Sequence, residues 1–259
     1  MKSITKIIAI LFIVFLLMFI AGRLKTNNNT KIVGNNVQPS PTVPSTTKAE
    51  EIQFNGTAYA YVYFSVSSSE KIELIPNFSE KMTSTDIASK HGCVKGINGG
   101  FYDTNSTPLG GFKSQNIIYK QPVHNRLIDG FLWYKNNYAS ITLSEPPRDA
   151  QFYLQTGPLL MTGGGVTTIS IGNDEYRRRS VALLTKDKNL LFLVVYNPES
   201  VYEGPLLADL PAIISSINSQ TSLRFTEAIN LDGGSASSFF SKDKTLQEFT
   251  PVGSIFCVK

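Results

Sequence analysis

The chain has 259 residues, of which 42% are hydrophobic and 17% charged, with a formal net charge of +4. That length and composition suit one large globular domain plus an appendage, and exclude a chain too polar to fold. Residues 1–49 hold six basic residues (Lys2, Lys6, Arg23, Lys25, Lys31, Lys48) and no acid, which leaves 18 basic against 20 acidic residues in the remainder. The folded part therefore carries no domain-wide basic field for nucleic acid.

Residues 7–22 form an unbroken apolar run of 16, bracketed by Lys6 and Arg23. As a helix it would fall slightly short of a ~30 Å hydrocarbon core, and the two flanking cations can snorkel to make up the difference. Residues 1–22 are thus expected to be a signal-anchor. A cleaved signal peptide and secretion are the alternative, although Phe19 stands where a cleavage site wants a small residue. Residues 23–50 are rich in Asn, Thr, Pro and Ser, including Pro39 to Pro44. Nothing there can build a core, so a disordered, solvated linker is expected.

A single domain is expected over 51–259. Ala58 to Val66 is aromatic and β-branched and reads as a strand. Thr83 to Gly92 reads as a short helix, capped by Thr83 or Ser84 and stopped by Gly92. Ile117–Tyr119, Leu127–Tyr134, Tyr138–Leu143 and Phe152–Leu154 read as strands, with a hairpin turn at Lys135-Asn136-Asn137. Val181–Leu184 and Leu190–Tyr196 make a second hairpin, turned at Lys186 to Asn189. Leu206, Leu207, Leu210, Ile213, Ile214 and Ile217 recur at three- and four-residue steps, the signature of one apolar helix face. A start near Ala208 or Asp209 puts Pro211 in the first turn, where its missing N–H costs little. Ala228–Leu231 and Val252–Val258 complete the strands. The expected class is α+β: a mixed, strand-rich sheet core with one or two packed helices.

Two Gly-Gly turns follow apolar runs: Asn98-Gly99-Gly100-Phe101-Tyr102-Asp103 and Asn230-Leu231-Asp232-Gly233-Gly234-Ser235-Ala236-Ser237. Glycines let the backbone approach a ligand closely, and their N–H groups beside Ser235 and Ser237 can line a nest for anionic oxygens. Each turn taken alone also fits a tight hairpin. Their shared pattern points to one polar site. Gly157-Pro158-Leu159-Leu160 and Arg179-Ser180-Val181-Ala182 lie between them.

In that order the four segments resemble the phosphodiester glycosidase family, across roughly residues 55–259. Its pattern runs N-G-G-F-[FY]-D, G-P-L, an R-[TS]-A-V-G-like strand, then N-L-D-G-G. Leu183 replaces the family's glycine after the Arg strand, and Ser235-Ala236-Ser237 replaces its Gly-Ser-Ser. The resemblance implies hydrolysis of a sugar-1-phosphate diester at the glycosidic C–O bond, in a cell-envelope or exopolysaccharide glycan. It also implies a domain outside the cytoplasm and a phosphorylated glycan as partner; the apolar run at 7–22 adds the expectation of a single-pass anchor, with the membrane as the second partner.

Because a phosphate ester is already a weak base, such a reaction needs less general-acid help than ordinary glycoside hydrolysis. Asp232 is the first candidate carboxylate, for activating water or stabilising charge on the sugar, and Asp103 is the second. Arg179 can give a phosphate two parallel donors, while Arg177 and Arg178 read as solvated. Asn98 and Asn230 either donate to substrate or hold the turns in shape. Gly99, Gly100, Gly233 and Gly234 supply backbone approach, Tyr102 can stack on a sugar, and Gly157 borders the site. Glu227 reads as an exposed strand start.

His91 and His124 lack partners at metal-ligand spacing, and no G-x-S-x-G elbow is present. Neither a metal nor a cofactor is expected. Cys93 and Cys257 are the only cysteines. Two buried thiols are expected; a single bridge, suited to an oxidising exterior, is the alternative. A phosphoglycan-binding module without catalysis, and a hydrolase cutting the P–O bond, remain as alternative functions.

Overall fold

The computed structural model describes residues 49–259. The expected anchor and nearly all of the linker lie outside these residues. Among the described residues, no helix is long and apolar enough to cross a membrane.

The first half contains β1 (Glu50–Phe54), β2 (Thr57–Ser65), β3 (Ile72–Pro76), α1 (Ser84–His91), β4 (Lys95–Asn98), β5 (Phe112–Ser114), β6 (Ile117–Lys120), β7 (Gly130–Lys135) and β8 (Tyr138–Thr142). The second half contains β9 (Phe152–Thr156), β10 (Leu159–Thr162), β11 (Gly165–Val166), β12 (Arg179–Thr185), β13 (Leu190–Tyr196), α2 (Leu210–Gln220), β14 (Phe225–Asn230), β15 (Phe239–Phe240), β16 (Thr245–Leu246) and β17 (Ser254–Val258).

They form three sheets. One has seven strands in the order β1-β2-β13-β12-β14-β10-β11, and two have five each, β16-β15-β4-β17-β3 and β6-β5-β9-β7-β8. The strand-rich α+β class is as expected, but the sheets are not mixed, because every strand pairing is antiparallel. Hairpins join β1–β2, β5–β6, β7–β8, β10–β11, β12–β13 and β15–β16, reversing the chain each time, and the other connections lead to a strand that is not a paired neighbour.

The seven-stranded sheet is buried on both faces, so β13 is an unbroken apolar run rather than an alternating one. Leu190, Phe192, Val194 and Tyr196 point into a core shared with Phe112, Phe152, Ile97 and Phe256 of the smaller sheets. Leu191, Leu193 and Val195 point the other way, toward Leu210, Ile213, Ile214 and Ile217 of α2. The period of two in a strand thus sorts one sequence into two cores. In β12 the same rule sends Ala182 and Leu184 to the inter-sheet core and Val181 and Leu183 to the helix side.

Both helices sit where their boundary residues place them. Thr83 caps α1 by accepting from the Asp86 N–H, and Gly92 ends it in the left-handed region at φ 68°. Pro211 lies in the first turn of α2. The Asn136-Asn137 turn has φ of 50° and 61°, as a tight hairpin between β7 and β8 requires. Cys93 and Cys257 are joined by a disulfide across 164 residues, which corrects the expectation of two free thiols. It ties the segment after α1 to β17, the central neighbour of β4 and β3.

Candidate active site

The two Gly-Gly turns meet. β4 delivers Asn98 and Gly99, and β14 delivers Asn230 and Asp232, each at the end of its strand. The Asp232 N–H donates to Gly99 O at 3.0 Å, and Leu231 N–H donates to Ser180 O at 2.8 Å. Asn98 Nδ2 donates to Asp232 O at 2.7 Å and to Gly99 O at 3.1 Å. Its Oδ1 accepts from Ser180 Oγ at 2.7 Å and from Ser238 N at 3.0 Å. That uses the full hydrogen-bonding capacity of the amide, so Asn98 holds the turns in shape. Gly99 is required for the same junction, since a Cβ there would run into Ser254 Oγ.

Asp232 is half-buried at this junction. Among the described residues its side chain receives one hydrogen bond, from Gly233 N at 2.8 Å. Burial with so little compensation pushes its pKa up from 3.8 to about 7, against the lowering pull of that single bond. A carboxyl poised near neutrality can both hold and accept a proton in the working range. Tyr102 is close enough for the Asp232 charge to act on it: burial raises its phenol pKa first, and the carboxylates of Asp232 and Glu248 add to the rise. The Tyr102 hydroxyl donates to Pro251 O.

The arginine run divides differently from the expected pattern. Arg177 is exposed and pairs with Glu175 at 2.8 Å. Arg178, expected in solvent, is fully buried. Its Nε donates to Ser237 Oγ at 3.0 Å, Nη1 to Val201 O at 3.0 Å, and Nη2 to Gln247 O at 2.7 Å and to Ser237 O. Burial lowers its pKa to about 10, which leaves it charged at neutral pH. Alternation explains the placement: Arg178 shares the face of Ser180, and Ser180 and Ser237 hydroxyls are 2.8 Å apart.

Arg179 falls on the opposite face. Its Nε donates to Pro205 O at 3.0 Å and its Nη2 to Asp174 Oδ1 at 3.1 Å, in a largely buried ion pair. Asp174 also accepts from Leu207 N and Ala208 N at 3.0 and 2.8 Å. Burial pushes the Asp174 carboxyl up, but these N–H donors and Arg179 outweigh it and hold the pKa below its ordinary value. Arg179 still runs beside the site, its Cδ 3.9 Å from where a Cβ on Gly233 would stand. Nη1 takes part in none of these bonds.

The other expected residues have diverse settings. Asp103 is turned onto its own loop, with Oδ1 accepting from Asn105 N at 2.9 Å and Thr107 N at 2.8 Å. Asn230 Nδ2 donates to Gly157 O at 3.0 Å, and its buried Oδ1 has no donor among the described residues. Gly157 precedes a cis Pro158 and has φ 152°; a Cβ there would lie 2.7 Å from Asp129 Oδ1. Gly100 packs on Leu154, and Gly234 has φ 62°. Ser235 is exposed, and its carbonyl accepts from Phe249 N at 2.7 Å and Thr250 N at 3.0 Å. Ser237 is buried on Arg178 and Ser180. Glu227 is half-buried and accepts from Gly163 N at 3.2 Å rather than standing exposed.

Arg178, Ser180 and Thr250 went unassigned as site residues from sequence; strand parity was the available signal for the first two. Two grooves, of about 500 and about 620 Å³, have linings that do not include Asp232. The second is lined by His124, Arg126, Asp129 and Glu145 and borders the Gly157-Pro158 turn through Asp129. Among the described residues no group of three or more His, Cys, Asp or Glu could hold a metal.

This arrangement of braced Gly-Gly turns, a near-neutral carboxyl and flanking arginines defines a small polar site at the meeting of two sheets. The model of the phosphodiester glycosidase family matches residues 91–259, and the chain belongs to that family. The fold is similar to the zebrafish N-acetylglucosamine-1-phosphodiester alpha-N-acetylglucosaminidase catalytic domain auto-inhibited by its pro-peptide. The TM-score is 0.60 at 15% identity, over 82% of this chain and 81% of that one. It is also similar to a hypothetical protein from Synechocystis, with TM-score 0.57 at 13% identity over 81% of this chain and 61% of that one. A putative exported protein from Burkholderia pseudomallei gives TM-score 0.53 at 11% identity over 78% and 74% of the two chains. No curated protein matches the chain.

Proposed function

We propose that the protein is a hydrolase that releases a sugar from a sugar-1-phosphate diester by cleaving the glycosidic C–O bond. The observation that carries this reading is the half-buried Asp232, braced at the junction of the two Gly-Gly turns by Asn98 and Gly99, where burial pushes its carboxyl pKa up to about 7. Family membership supports the same class of reaction. Water attacks the anomeric carbon and gives its proton to the Asp232 carboxylate. The anomeric C–O bond breaks, and the electron pair leaves with the phosphate monoester. The carboxylate also opposes positive charge developing on the sugar ring. Arg179 Nη1 is the donor assigned to a phosphate oxygen, while its other nitrogens are fixed by Asp174, Glu175 and Pro205.

The setting proposed is the outside of the cytoplasmic membrane, with a glycan of the envelope or an exopolysaccharide as substrate. The Cys93–Cys257 disulfide supports an oxidising compartment, and the apolar run at 7–22 supports an anchor.

The test is to incubate the protein with UDP-N-acetylglucosamine and with alkyl diesters of several sugar 1-phosphates, and to measure free sugar. Release by wild type but not by Asp232→Asn is expected, with Arg179→Ala at least about 100-fold slower in kcat/KM. With ¹⁸O water, the label should enter the sugar. Label in the phosphate would move the cut to the P–O bond, and equal turnover by both variants would sink the reading.

A further inference from the structure

Phe249 is the most exposed large apolar side chain among the described residues, at 76%, and Tyr202 is 42% exposed. Single exposed apolar residues are ordinary; these two are neither single nor loose. Their rings pack edge to face, with centroids 5.8 Å apart and planes at 76°. Tyr202 rests on the buried Arg178 guanidinium, 5.3 Å from its ring centroid.

Both main chains are fastened to the candidate site. The N–H groups of Phe249 and Thr250 donate to Ser235 O, three residues after Asp232. Tyr202 O accepts from Arg178 N at 3.0 Å, and Val201 O accepts from Arg178 Nη1. Around the pair lie the exposed Ser235 hydroxyl, which accepts from Thr250 Oγ1 at 3.2 Å, and Arg177, whose stem lies 3.4 Å from where a Cβ on Gly234 would stand. The result is a fixed aromatic surface, edged by hydroxyls and a cation, at the rim of the Asp232 turn.

We propose that Phe249, backed by Tyr202, is a stacking platform for a pyranose ring of the substrate glycan, placed beside the Asp-Gly-Gly turn. A pyranose face carries a patch of C–H bonds that suits an aromatic ring, and its equatorial hydroxyls suit the Ser235 and Thr250 hydroxyls. Placement of the platform at the site rests on the phosphodiester glycosidase reading; its affinity for sugar does not.

The experiment therefore measures binding apart from turnover. The full chain carrying Asp232→Asn is titrated with methyl diesters of the 1-phosphates of glucose, galactose, mannose and N-acetylglucosamine, following tyrosine and tryptophan fluorescence or ligand NMR. Adding Phe249→Ala is expected to weaken binding about five- to tenfold, and Phe249→Trp to restore it. In the active chain Phe249→Ala raises KM while kcat and the unfolding midpoint hold. Equal affinity with and without Phe249, or no binding of any of the four diesters, overturns the platform. Sugar release that persists while Phe249→Ala binds normally overturns the platform alone. Binding that needs Phe249, without release from any diester, retains the platform and overturns the hydrolase.

Discussion

Asn98 Nδ2 donates to the main-chain carbonyl of Asp232 at 2.7 Å, across 134 residues of sequence. The bond fixes the peptide plane from which the Asp232 carboxyl projects, and three further bonds fix Asn98 itself. Replacing Asn98 by Ala leaves the Ser238 N–H and the Asp232 carbonyl without a partner, and leaves Ser180 Oγ with Ser237 Oγ alone and Gly99 O with the Asp232 N–H alone. The expected loss is on the order of 3 kcal/mol in urea unfolding, together with sugar release falling further than stability alone explains. A variant with native stability and native turnover would show that the brace is idle.

Asp232 makes stability depend on pH. Its folded pKa, about 7, lies above the ordinary 3.8, so the folded state binds the proton more tightly than the unfolded one. Its contribution is then fully present below pH ~4 and is lost as pH rises through ~7. Asp232→Asn removes the cost of the buried charge, so the variant should be the more stable at pH 8, on the order of 2 kcal/mol after allowing for solvent at the carboxylate. The advantage should vanish near pH 4. Turnover by wild type should rise with pH through the same interval, as a base requires. Unfolding midpoints at pH 4, 6 and 8 for both chains decide it; parallel curves would mean that Asp232 titrates normally.

The burial of Arg178, expected in solvent beside the exposed Arg177, marks where sequence reasoning reaches its limit. The strand at 181–184, the helix with its Pro211 start and the hairpin turns were all legible, because local periodicity and turn residues dictate them. The Asp-Gly-Gly turn was legible because its glycines and carboxylate have few other uses in sequence. Parity along β12 was available as well, but a cluster of three charges reads as solvated unless the strand is extended back through it. Strand β14 shows a second limit: Glu227 is half-buried because the short β10–β11 hairpin brings Gly163 to it, a partner 64 residues away. Asp103 similarly looked free for chemistry, whereas Asn105 and Thr107 two and four residues on supply the N–H groups that occupy it. Short strands such as β15 and β16 carry no periodic signal at all; only the pairing of Phe239 with Ile97 on one side and Leu246 on the other defines them.

Arg178 and Arg177 offer a direct comparison of neighbours. Arg178→Met retains volume but leaves the carbonyls of Val201, Ser237 and Gln247 without their donor, and leaves Ser237 Oγ with Ser180 Oγ alone. A loss on the order of 3 kcal/mol is expected. Arg177→Ala, with its exposed Glu175 pair, should stay within ~0.5 kcal/mol of wild type. Chemical denaturation of the two variants side by side is sufficient, and a reversed order would return Arg178 to the surface.

The disulfide reaches the site through the sheet. Cys257 lies in β17 opposite Gly96 of β4, and two residues on β4 ends at Asn98, which pairs with Ile255. The bridge closes a 164-residue loop, and long loops lose the most unfolded-state entropy when cross-linked, with typical stabilisation of about 2–4 kcal/mol. Reduction should therefore lower the unfolding midpoint of wild type by that order while leaving Cys93→Ala/Cys257→Ala unmoved by reductant. Because both sulfurs are buried beside Ile255, Ile87 and Phe240, reduction should be slow until the α1–β17 contact opens. Loss of turnover should track that opening rather than the addition of reductant itself. Alkylation without reductant that labels both cysteines of the native protein would remove the bridge, and with it the structural support for an oxidising compartment.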